Sequence, residues 1–124
     1  MGKKILIVDD ETDIRAYLEA LLQDNGYETA TATDGDQAMP KAKSFHPDLI
    51  SLDIIMPHET GQKFYRDLCK DPELSKVPVI IVSGVTRYKE LFSRDHKTMP
   101  KPFAFVDKPI DRAVYLAKVA EALG

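Results

Sequence analysis

Unbroken apolar runs recur along this chain, each followed by a stretch whose apolar positions fall three and four apart. The first run, Ile5 to Val8 in KILIVDDETD, has no polar interruption, the pattern of a strand covered on both faces, and it ends on adjacent carboxylates, Asp9 and Asp10. DIRAYLEALLQDNG then places Ile14, Tyr17, Leu18, Leu21 and Leu22 on one helical face and stops at Gly26, a residue suited to the position just past a helix end. YETATA reads as a second strand, DGDQAMPKAKSF as a helix, and DLISLD as a third strand, ending again on a carboxylate, Asp53. GQKFYRDLCK reads as a helix with Phe64 and Leu68 spaced for burial, and VPVIIVSG as a β-branched fourth strand. VTRYKELFSRDH predicts a further helix, FAFVDK a fifth strand, and DRAVYLAKVAEALG a last amphipathic helix through Val114, Leu116, Val119, Ala120 and Leu123.

Strands alternating with helices imply parallel pairing through right-handed crossovers, hence a three-layer α/β sandwich. All strands then point one way, and their carboxyl ends share a rim carrying Asp9-Asp10, Asp53, Ser83-Gly84 and Asp107-Lys108. In open α/β sheets ligands bind at that rim, so the acidic doublet is either a site for something positive or an exposed turn. Carboxylates within ~4 Å of one another repel by several kcal/mol at an effective dielectric near 20, so a cluster of three calls for a cation. All-oxygen donors favour Mg²⁺, an ion that keeps waters and commonly works with a phosphoryl group.

Composition bounds the rest. A chain of 124 residues with 44% hydrophobic content predicts one domain over 1–124, with a real core and no room for a second. A net charge of −3 gives no basic footprint for nucleic acid, and the single cysteine, Cys69, excludes an internal disulfide framework. No apolar run approaches the ~20 residues of a membrane span, and the expectation is a cytoplasmic protein.

Taken in order, ILIVDDE, PDLISLDIIMPHETG, VPVIIVSG and FVDKP resemble the acidic-pair strand, the phosphoacceptor strand and loop, the hydroxyl strand and the lysine motif of one family. It is the receiver domain family of bacterial two-component response regulators, and the resemblance covers essentially the whole chain. It implies a doubly wound, flavodoxin-like (βα)5 fold with strand order 2-1-3-4-5. It implies that Asp53 is the phosphoacceptor, that Asp10 binds Mg²⁺ directly and Asp9 mostly through water, and that one Asp53 oxygen and the Ile55 backbone carbonyl complete the protein's ligands. Lys108 would pair with Asp53 and then with a phosphoryl oxygen, across a cis Lys108–Pro109 bond. Ser83 would bond the phosphoryl group, Gly84 leave room for its entry, and Phe105 act as a switch aromatic; by position alone Phe105 is a core strand residue, and the two readings are compatible. Ile55 and Val85, two residues after the phosphoacceptor and the hydroxyl residue, are apolar and cannot position a hydrolytic water, which implies a long-lived phosphate.

The implied partners are a sensor histidine kinase or histidine phosphotransfer protein, an unknown downstream protein, and, on phosphorylation, a second copy of the chain. Nucleic acid and membrane are not among them. The implied catalysis is confined to the protein's own phosphorylation and dephosphorylation. Two rivals come from other classes. A Mg²⁺-dependent phosphatase with an aspartate nucleophile wants a second carboxylate two residues on, where this chain has Ile55. A receiver-like interaction module would never take phosphate. His46, His58 and His96 show no ligand spacing and read as surface residues, and Cys69 as packing.

Two stretches depart from the family pattern. Pro40 falls inside DQAMPKAKSF, where a proline removes a hydrogen bond and clashes with the preceding turn, so the helix is predicted to start late, with Pro40 as its first residue, or to kink there. The segment from Val85 to Pro102 is long, and KTMPKPF predicts an atypical loop into the last strand, altering the face that carries the output signal in the family.

Overall fold

The computed structural model describes residues 2–54, 56, 58, 60–84 and 101–124. The elements are β1 (Lys4–Val8), α1 (Thr12–Asp24), β2 (Glu28–Ala32), α2 (Gly35–Phe45), β3 (Leu49–Asp53), α3 (Thr60–Lys70), a 3₁₀ turn (Leu74–Lys76), β4 (Val79–Ser83), β5 (Ala104–Asp107) and α4 (Arg112–Leu123). The strands form one sheet in the order β2-β1-β3-β4-β5, parallel throughout, as predicted. The helix predicted over 85–96 lies outside the described residues, and the Leu74–Lys76 turn was not anticipated.

The unalternating strands are explained by two cores. Leu6, Val8, Ile50, Leu52 and Ile81 face Ala38 and Ala42 of α2 and Phe64 and Leu68 of α3. Ile5, Ile7, Leu49, Ile80 and Val82 face Leu18 and Leu22 of α1 and Tyr115 and Val119 of α4. Successive side chains point to opposite faces, so covering both faces demands apolar residues at every position.

The end of α1 shows how local chemistry sets a boundary. Gly26 has φ +86°, the Gly26 amide bonds the Gln23 carbonyl at 3.0 Å, and the Tyr27 amide bonds that of Leu22 at 3.1 Å. These are the two bonds of a Schellman motif, with Tyr27 packed against the core cluster to which Leu22 belongs, and they turn the chain directly into β2.

The expected late start of α2 is corrected. The helix begins at Gly35, with Pro40 in its interior. An interior proline costs ~3 kcal/mol, and it leaves the Asp36 carbonyl without its amide. Three features outweigh that penalty: the Asp34 side chain caps the helix by accepting from the Gln37 amide at 2.8 Å, Ala38 and Ala42 are fully buried, and Pro40 itself lies on the exposed side. Gly35 is where α2 meets the start of α3. A Cβ there would lie 2.0 Å from the Thr60 carbonyl oxygen, so only glycine permits the approach. Gly61 does the same at the site, where a Cβ would fall 2.5 Å from the Ile54 carbonyl oxygen and 2.8 Å from that of Asp53.

Candidate phosphoacceptor site

The crossovers from β1 and from β3 go to opposite faces of the sheet, so a crevice opens between the carboxyl ends of these neighbouring strands. Asp9 follows β1 and Asp53 ends β3, which puts a carboxylate on each side. Asp9 is 1% exposed and Asp53 4%. Asp9 is held on both sides: its own amide bonds the Ala32 carbonyl at 3.2 Å, its Oδ1 accepts from the Glu11 amide at 2.9 Å, and its carbonyl accepts from Arg15 Nη1 at 2.8 Å. Asp10 is exposed.

Lys108 enters from the far side of the rim. Its amide bonds the Ser83 carbonyl at 2.9 Å, carrying the β4–β5 ladder one residue past Asp107, and the Lys108–Pro109 peptide is cis. Its ammonium lies 3.1 Å from Asp9 Oδ2, 3.2 Å from Glu11 Oε1 and 3.3 Å from Asp53 Oδ2. Burial works to lower the Lys108 pKa, but the charges of Asp53 and Asp9 and the hydrogen bonds the ammonium donates to Asp9 and Glu11 outweigh it and push the value up to about 12. Asp9 moves against its ion pair. Burial lifts its carboxyl above the usual 3.8, and the Glu11 amide and Lys108 only partly offset that. At Asp9 burial thus outweighs the lysine.

Ligand oxygens of Asp9, Asp10, Glu11 and Asp53 all lie within 4.8 Å of one another. A compact set of hard oxygen donors, two of them buried, fits a small divalent cation. Ser83 is buried at the end of β4, beside Asp107 in register, and Gly84 is exposed on the rim. A Cβ on Gly84 would sit 3.6 Å from Lys108 Cβ, so the glycine borders the lysine stem. Phe105 is half-buried and packs against the core on the α2 and α3 side. Ile55 and Val85, and with Ile55 its backbone carbonyl, lie outside the described residues. His46 and His58 are exposed as expected, both with positive φ, and His96 is not described.

Sequence reasoning missed Glu11. It immediately precedes α1 in the N-cap position, yet its side chain makes no capping bond and turns to Lys108 instead. Its place directly after the acidic pair was the available signal. A second feature also emerges only in three dimensions: Tyr115 of α4 is fully buried and donates its hydroxyl to Ser51 Oγ at 2.8 Å, two residues before Asp53 on the same strand.

The fold and rim define a class: a doubly wound α/β protein with a lysine-bridged acidic site at its topological switch point. Residues 5–120 match the family described as response regulator receiver domain, and the chain belongs to that family. It is 33% identical to protein Rrf1 of Nitratidesulfovibrio vulgaris, over 99% of this chain and 84% of that one. It is 35% identical to response regulator PleD of Caulobacter vibrioides over 96% of this chain, but spans only 26% of that protein. Among solved structures, chemotaxis protein CheY4 of Vibrio cholerae superposes with a TM-score of 0.87 at 28% identity, covering 99% of this chain and 100% of that one. No described helix is long and apolar enough to cross a membrane.

Proposed function

We propose that this chain is a phosphorylation switch that accepts a phosphoryl group on Asp53 from a sensor histidine kinase or histidine phosphotransfer protein, and relays it by protein contact. The observation that carries this reading is a nearly buried carboxylate at the end of the central strand, 3.3 Å from a lysine ammonium and grouped with three further carboxylates. Asp53 attacks the phosphorus of phosphohistidine. The new O–P bond forms as the P–N bond breaks, and the imidazole leaves.

A carboxylate is a weak nucleophile, so the chain's task is positioning and charge neutralisation rather than covalent activation. Lys108 takes a phosphoryl oxygen, Ser83 donates its hydroxyl to another, and Gly84 leaves the approach open beside the lysine stem. Asp10, Asp9 and Asp53 would hold Mg²⁺, with the Ile55 carbonyl as the further ligand the family pattern supplies; bound there, the ion neutralises charge on the phosphoryl oxygens. Phe105, against the α2 and α3 core, is the proposed switch aromatic. Cytoplasmic location, an unnamed protein target and pairing with a second phosphorylated copy complete the reading.

Incubation with acetyl phosphate, or with a phosphorylated histidine kinase, should add one acid-stable, base-labile phosphate that requires Mg²⁺ and is absent from Asp53→Asn. Equal labelling of Asp53→Asn would overturn the assignment.

A further inference from the structure

The Lys108 ammonium lies among three carboxylate oxygens at 3.1, 3.2 and 3.3 Å, donating to Glu11 Oε1 and Asp53 Oδ2 and pairing in charge with Asp9 Oδ2. An incoming phosphoryl oxygen therefore meets an ammonium already surrounded by three anions, with two of its donors engaged. Asp53 is the group that reacts and carries the phosphoryl group, so making room falls to Asp9 or Glu11, and their surroundings differ sharply. The side chains of Asp9 and Asp53 are 2% and 4% exposed, whereas that of Glu11 is 59% exposed. A buried carboxylate released from its cation has no water to replace the bond, but Glu11 is rehydrated at once. With Asp53 as the phosphoacceptor, we infer that Glu11 is a positioning residue for the transfer: it occupies one Lys108 donor in the resting state and is the partner the phosphoryl group displaces.

The backbone separates this role from a structural one. The bond that Glu11 makes to Asp9 comes from its amide, and its carboxylate caps nothing, so changing the side chain leaves the Asp9 turn and the start of α1 intact. Removing the carboxylate frees the Lys108 donor in advance. It also takes a negative charge away from the path of an anionic donor, and both effects favour transfer.

The test compares wild type with Glu11→Gln and Glu11→Ala, and with Glu28→Gln, which removes an equal charge at the start of β2, the opposite end of the sheet. Mg²⁺ dissociation constants are measured first, and each protein is then labelled with acetyl phosphate at saturating Mg²⁺. Both Glu11 variants should label about two- to fivefold faster, the scale of releasing one exposed ion pair. Glu28→Gln should match wild type. In metal-free protein the Lys108 side-chain NMR signals should shift in the Glu11 variants and stay in place in Glu28→Gln. Slower or unchanged labelling of the Glu11 variants, an unmoved Lys108 signal, or a tenfold loss of Mg²⁺ affinity marking Glu11 as a metal ligand would each overturn the role of Glu11. A wild type that takes no label would instead remove the phosphoacceptor reading itself.

Discussion

Replacing Asp9 by Asn should stabilise the metal-free protein. At an effective dielectric near 20 the Asp9–Lys108 attraction at 3.1 Å is about 5 kcal/mol. Repulsion from Asp53, within 4.8 Å, is at least about 3.5 kcal/mol on the same scale, and the exposed Asp10 and Glu11 add at least about 1 kcal/mol each at a water-like dielectric. Attraction and repulsion nearly cancel, which leaves the cost of taking Asp9 out of water to decide the sign. The direction of its titration agrees. A carboxyl whose folded-state pKa is raised contributes stability that is fully present below the unfolded value of 3.8 and is lost as pH rises through the folded one, so Asp9 once ionised is a liability. Asparagine keeps an oxygen for the Glu11 amide and removes the charge. Urea denaturation at pH 7 in EDTA, followed by circular dichroism, should show a gain of about 1 kcal/mol, or roughly 4 °C in Tm. Mg²⁺ should reverse the order, because at a hundred times its dissociation constant a bound ion adds about 2.7 kcal/mol to wild type and less to a variant with a weakened site. A variant less stable than wild type in EDTA, or equally stabilised by Mg²⁺, would refute the reasoning.

Tyr115→Phe should cost about 1–3 kcal/mol by orphaning the buried Ser51 hydroxyl, and adding Ser51→Ala should cost less than the sum of the singles, as read by a double-mutant cycle in urea. Asp71 accepts from the Leu74 and Glu73 amides at 3.0 and 2.9 Å and lies 3.6 Å from Lys43, and the Leu74 amide leads in holding its pKa below 3.8. Its contribution is therefore present above that value and lost as pH falls through the lower folded-state pKa, so Asp71→Ala should be less stable than wild type at pH 7 and converge with it in acid, as followed by thermal melts across pH.

By itself the sequence determined the alternation of elements and most of the rim. A strand buried on both faces cannot hide its pattern, because every position must be apolar, and Ile5 to Val8 and Val79 to Val82 show it directly. Where such a strand stops at an aspartate or a serine, the side chain must sit at the sheet's end, so Asp9, Asp53 and Ser83 were legible one by one. Family motifs supplied the strand order and the cis bond before Pro109. What only the tertiary structure decided depends on separations in space. Pro40 argues locally against a helix that packing of Ala38 and Ala42 maintains, and Gly35 and Gly61 are obligatory only because α3 approaches so closely. Tyr115 and Ser51 are 64 residues apart and meet because α4 lies on β3. Glu11 and Lys108 are 97 residues apart, and no linear pattern states that one ammonium will serve three carboxylates. That sharing follows from parallel strands ending together on one rim, where residues distant along the chain are placed within reach of a single charge.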